Sequence, residues 1–151
     1  MSEHPSTALA PAATGLERLR PALRWLALLA LCAAYLQGGL TKASDFAGAV
    51  AEMTHFGLAP AAPLAVAVIA LELGASAMIL TGFGRWLGAL ALAAFTLMAT
   101  FLANRFWEML PPERFFAANA FFEHIGLVGA FVLVALEDLP LARAQRPAPR
   151  P

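Results

Sequence analysis

Between Gly57 and Gly84 the chain reads GLAPAAPLAVAVIALELGASAMILTGFG, with a single charge, Glu72, near the middle. An apolar run of this length crosses the hydrocarbon core of a bilayer as a helix with some tilt. A carboxylate at mid-depth costs on the order of 2.5–3.5 kcal/mol on insertion scales, so it faces protein rather than lipid and often has a task. The plainer alternative is that Glu72 is a hydrogen-bonded packing residue. Either way a lone helix of this kind needs partner helices, and the rest of the chain must supply them.

The composition agrees. With 60% hydrophobic and 13% charged residues over 151 positions, the chain is too apolar for an ordinary soluble domain. Ten basic and ten acidic residues balance, which leaves no field that would favour nucleic acid. The single cysteine, Cys32, lies inside an apolar run and has no partner for a CxxC redox pair. It reads as a small buried packing residue.

Three more spans follow from the same logic. Arg18, Arg20 and Arg24 precede an uncharged run from Trp25 to Thr41, too long for the apolar core of a secretory peptide and read as the first span. Ser44 to Gly57 carries Phe46, Val50 and Met53 at helical spacing with Asp45 and Glu52 opposite, the pattern of a short interfacial helix capped by Ser44. Pro60 and Pro63 open the second span, and the brief Thr81–Arg85 link turns it into a third, Trp86 to Ala103. A second interfacial segment runs from Asn104 to Pro112, and the fourth span from Glu113 to Leu136. The expected fold is all-α: a polytopic membrane protein with an antiparallel four-helix transmembrane bundle and short interfacial helices. Residues 1–20 and 139–151 read as disordered tails, leaving 21–138 as one domain.

Basic residues in short loops set orientation. Arg18, Arg20, Arg24, Arg85, Arg143, Arg146 and Arg150 fall on one side, against Lys42, Arg105 and Arg114 on the other. Both termini are therefore expected in the cytoplasm, with the protein in a bacterial inner membrane. Small residues mark where membrane helices meet. The expected facing stripes are Ala30, Ala34 and Gly38; Ala65, Val68, Glu72, Ala75 and Ser76; Gly84, Gly88, Ala89, Ala93, Thr96, Thr100 and Asn104; and Asn119, Glu123, Gly126 and Ala130.

Several stretches, GGLTKASDF at 38–46, LELGASAMILTGFGR at 71–85, Phe106-Trp107 and NAFFEHIGLVG at 119–129, occur in an order that resembles the DoxX family of small four-helix bacterial membrane proteins. The family pattern falls on Lys42, Asp45, Glu72, Arg85 and Trp107. The resemblance implies a link to quinone-coupled sulfur oxidation, as in thiosulfate:quinone oxidoreductase, or to membrane redox-stress complexes. It implies a quinone as the ligand, no covalently bound cofactor, and oxidoreductase partner subunits or further copies of the chain beside the lipid bilayer.

The candidate polar pocket thus comprises Lys42, Asp45, Glu72, Glu123, His124 and Trp107, with no catalytic residue assigned. Lys42 and Asp45, three apart, are placed to pair on one helix face. His124 beside Glu123 is suited to exchange a proton with a quinone oxygen, or else to clasp two helices. Glu72 is expected to meet a polar side chain from the first or fourth span. Zinc fails on ligand spacing, and a haem would want a second histidine at membrane depth. Proton-coupled transport through Glu72 and a purely structural anchor subunit are the alternatives.

Overall fold

The computed structural model describes residues 15–139. The helices are α1 (Gly15–Ser44), α2 (Phe46–His55), α3 (Ala61–Thr81), α4 (Arg85–Ala103) and α5 (Glu113–Asp138), with a 3₁₀ turn at Phe106–Glu108. Among the described residues there is no strand. Helices α1, α3, α4 and α5 are long and apolar enough to cross a membrane. The protein is an all-α polytopic membrane protein. Helix α1 begins at Gly15 and runs through Pro21, so residues 15–20, expected in the tail, are helical. Leu16, Glu17, Leu19 and the flanking arginines are good helix formers, and Pro21 removes only one backbone hydrogen bond. The remainder of both expected tails lies outside the described residues.

The interfacial helix is capped by Asp45 rather than Ser44. The Asp45 carboxylate accepts from Gly48 N–H at 2.9 Å, while the Ser44 hydroxyl donates back to the Thr41 carbonyl at 2.8 Å. The α3–α4 link is a glycine turn: Gly82 and Gly84 have φ of +85° and +61°, values that a side chain strains against. That turn lays α4 directly on α3. At Gly88 a Cβ would sit 2.7 Å from the Ala75 carbonyl oxygen, so only glycine allows the two backbones this close.

Packing runs in sequence, α1 on α3, α3 on α4 and α4 on α5, with α2 lying across α3 and α1. Long side chains close the remaining side. Tyr35 meets Phe131 edge-on at 5.4 Å between ring centres, and Arg24 pairs with Glu137 at 3.5 Å. The main core fills the half of the bundle nearer Arg85, around Leu28, Cys32, Ile79, Leu92, Phe131 and Ala135. A smaller cluster, Ala49, Met53 and Ala65, holds α2 against α3 at the Lys42 end.

The stripes expected on α3 and α4 are the buried ones. Those on α1 and α5 are not. Ala30 and Ala34 are exposed, and α1 buries Leu28, Cys32, Tyr35 and Gly39 instead. On α5, Asn119, Glu123 and Gly126 are exposed, while Phe131 and Ala135 are buried and His124, Leu127 and Val128 partly so. Both helices are rotated because large side chains, Tyr35 and Phe131, make the contact that small residues were expected to make.

Candidate functional site

Near the Lys42 end the four spans part around a cavity of about 290 Å³. Its wall is mostly apolar, with Ala34 and Gly38 from α1, Met53 and Phe56 from α2, Val68 from α3, Phe95, Ala99 and Leu102 from α4, and Leu127 from α5. Against that background the polar groups stand out. They are Tyr35, Lys42, Glu52, Glu72, Thr96 and His124.

Helix α1 carries Tyr35 and Lys42 two turns apart on one face, with Gly38 between them. The Lys42 ammonium lies 3.3 Å from one Glu72 carboxylate oxygen and 3.5 Å from the other. It also lies 3.9 Å from Glu52 on α2. A side chain at Gly38 would come within 3.5 Å of both partners, so the glycine leaves the pair its space. The Glu72 side chain is only 6% exposed and that of Lys42 16%, so this is a desolvated ion pair rather than a headgroup contact. Such pairs recover little net stability, because the cost of leaving water consumes most of the Coulombic gain. Glu72 therefore meets the expected polar partner, and it comes from the first span.

Below the pair, the Thr96 hydroxyl donates to the Leu92 carbonyl at 2.6 Å. Its only proton is thereby spent, so in the Tyr35–Thr96 hydrogen bond the phenol is the donor. The Tyr35 oxygen keeps its acceptor capacity. Across the cavity, Asn104 Nδ2 lies 3.2 Å from both Thr100 Oγ1 and His124 Nδ1. With the amide donating to Nδ1, a neutral imidazole carries its proton on Nε2. The cavity thus combines an ammonium between two carboxylates, a phenol oxygen and an imidazole around an apolar space.

Three of the expected pocket residues, Lys42, Glu72 and His124, are brought together on this wall. The other three are not. Asp45 is exposed and committed to capping α2, so it does not pair with Lys42. Glu123 is exposed and does not line the cavity, because adjacent residues on a helix point about 100° apart and His124 takes the inward arc. Trp107 is 47% exposed and packs edge-on or tilted against Phe101, Phe106 and Phe121 in an aromatic cluster. Glu52, Tyr35, Thr96 and Asn104 were not anticipated as site residues. For Tyr35 a signal existed: it is the chain's one tyrosine, seven residues before Lys42. Glu52 offered none, since only the fold places α2 over Lys42.

A second polar contact lies at the opposite end. Arg85 donates through Nε to the Ile79 carbonyl at 2.8 Å and pairs with Asp138 of α5 at 3.6 Å. Arg85, expected from its sequence position to mark orientation, ties the α3–α4 turn to the end of α5.

A model of the DoxX family matches residues 24–105. No curated protein and no solved structure matches the chain. The matched segment runs from the first turns of the α1 span to the end of α4 and contains Tyr35, Lys42, Glu52, Glu72 and Thr96, though not His124. It covers more than half of the chain, and the four membrane-spanning helices accord with it: this protein belongs to the DoxX family.

Proposed function

We propose that this protein is a subunit of a quinone-linked redox process in the bacterial inner membrane, with both termini cytoplasmic, and that its cavity holds a quinone-type head group. The observation that carries this is the Lys42–Glu72 pair, with Glu72 at the middle of α3 and Lys42 in the last turn of α1, on the wall of a mostly apolar cavity. A buried ion pair contributes little to stability, so its presence at a concave surface points to recognition.

The residues present fit such a ligand. A space of about 290 Å³ takes a single substituted ring and not a long tail. A quinone, when bound, supplies acceptance of two electrons and two protons. The chain supplies the rest. The Lys42 ammonium and the His124 Nε2–H are donors for carbonyl oxygens, and Tyr35 offers an acceptor for a hydroxyl of the reduced ring. Phe56, Phe95 and Leu127 would give such a ring an apolar wall. Electrons then come from a partner subunit.

The test is to purify the full chain in native-lipid discs and measure quinone per protein, and the associated proteins, by mass spectrometry. Quinone enriched over its ratio in bulk membrane lipid, and reduced to that ratio in Lys42→Met, is the expected result. Equal content in both proteins would contradict the proposal.

A further inference from the structure

The charges on the cavity wall do not balance. Its ionisable side chains are Tyr35, Lys42, Glu52, Glu72 and His124. Lys42 and Glu72 sum to zero wherever the proton between them sits. Tyr35 donates its proton to Thr96 and stays a phenol. His124 accepts the Asn104 amide on Nδ1, which leaves a neutral ring. What remains is the Glu52 carboxylate, and with it one negative charge. Its side chain is 43% exposed, against 16% for Lys42 and 6% for Glu72, so Glu52 is at once cavity wall and outer surface.

The surroundings have the same sign. Among the described residues, the half of the bundle at this end carries Asp45, Glu52, Glu72, Glu108, Glu113 and Glu123 against Lys42, Arg105 and Arg114. Six acidic side chains thus outweigh three basic ones. Arg105 is itself paired with Glu108 at 3.2 Å. The low-dielectric walls of a concave site focus such a field on whatever enters.

We infer that Glu52 makes the cavity selective for uncharged head groups and closes it to anions. This rests on the quinone-type reading above and adds to it the charge of the ligand. The Lys42 ammonium has three protons and two carboxylate partners, so one proton is left for an incoming oxygen. A neutral carbonyl takes that proton without penalty. An anion in the same place stands beside two carboxylates for one cation, and is repelled on balance. Electrons from an anionic donor therefore enter elsewhere, as they do when a partner subunit supplies them.

The test compares two rings of nearly equal size, tetramethyl-benzoquinone and its hydroxy-trimethyl analogue. A hydroxyl on a quinone ring is a vinylogous carboxylic acid and is ionised at neutral pH. Each is titrated calorimetrically into the full chain in quinone-free phosphatidylcholine discs, with uptake by protein-free discs subtracted. The wild type should bind the neutral ring at least about tenfold more tightly. Glu52→Gln should lose most of that preference, and Glu52→Asp, which keeps the charge, should retain it. An anion bound by the wild type as tightly as the neutral ring, or a preference that survives Glu52→Gln unchanged, would overturn the inference while leaving the quinone reading intact. Binding of neither ring above the protein-free discs would overturn both.

Discussion

The two halves of this bundle are built by opposite rules. Around Arg85 the helices are close-packed: Gly88 lets α4 touch α3, Phe131 and Leu92 are fully buried, and the Arg85–Asp138 pair ties the α3–α4 turn to the end of α5. Around Lys42 the same helices part around a cavity of about 290 Å³ and line it with an ion pair, a phenol and an imidazole. Lipid provides no hydrophobic force between helices, so stability comes from close contact. The first half has that contact and the second gives it up. A membrane protein selected for stability alone would have filled the Lys42 end with leucine. One half maintains the fold; the other, on the reading proposed above, gives up packing for binding.

Perturbing the packed half should have the largest effect. Gly88→Leu drives a side chain into the Ala75 backbone, which cannot yield, and should abolish the monodisperse folded species in detergent chromatography. Lys42→Met comes next, since it strands a buried carboxylate; loss of one partner from a buried pair costs about 3–5 kcal/mol and should lower the thermal midpoint by several degrees. Phe131→Ala opens a void in the packed half. It should cost less than the roughly 3–5 kcal/mol of a soluble core, because lipid rather than water is the reference and only the lost packing remains. Tyr35→Phe keeps the ring contact with Phe131 and loses one hydrogen bond, about 0.5–1.5 kcal/mol, so ligand retention should change more than the midpoint. If Tyr35→Phe destabilised more than Phe131→Ala, the division between a packed half and a binding half would fail.

How much of this was legible in the sequence follows from the same physics. The spans, the α3–α4 hairpin and the buried stripes of α3 and α4 could be read because glycine, alanine and threonine at helical spacing are informative in lipid. The facing of α1 and α5 could not. Leucine and phenylalanine are as content toward lipid as toward protein, so their period carries no direction, and the small-residue rule pointed to Ala34 and Gly126 where Tyr35 and Phe131 make the contact. In the site, Glu72 was legible as a costly carboxylate, and its partner was limited to the first or fourth span. Choosing between Glu123 and His124 needed the rotation of α5. Asp45 misled because a carboxylate three residues after a lysine looks the same whether it pairs or caps the next helix. Glu52 was hidden because its distance to Lys42 depends on how α2 folds back.

The central claim is that Lys42 and Glu72 are retained for binding and not for stability. It is tested most directly by the double variant Lys42→Met/Glu72→Leu, with thermal midpoint and quinone content measured on one preparation in native-lipid discs. Replacing both members of a buried ion pair by apolar side chains of similar size is often neutral or stabilising. The account predicts a midpoint equal to or above that of the wild type together with loss of the enriched quinone. A double variant that unfolds as readily as Lys42→Met alone, or that keeps its quinone, would contradict it.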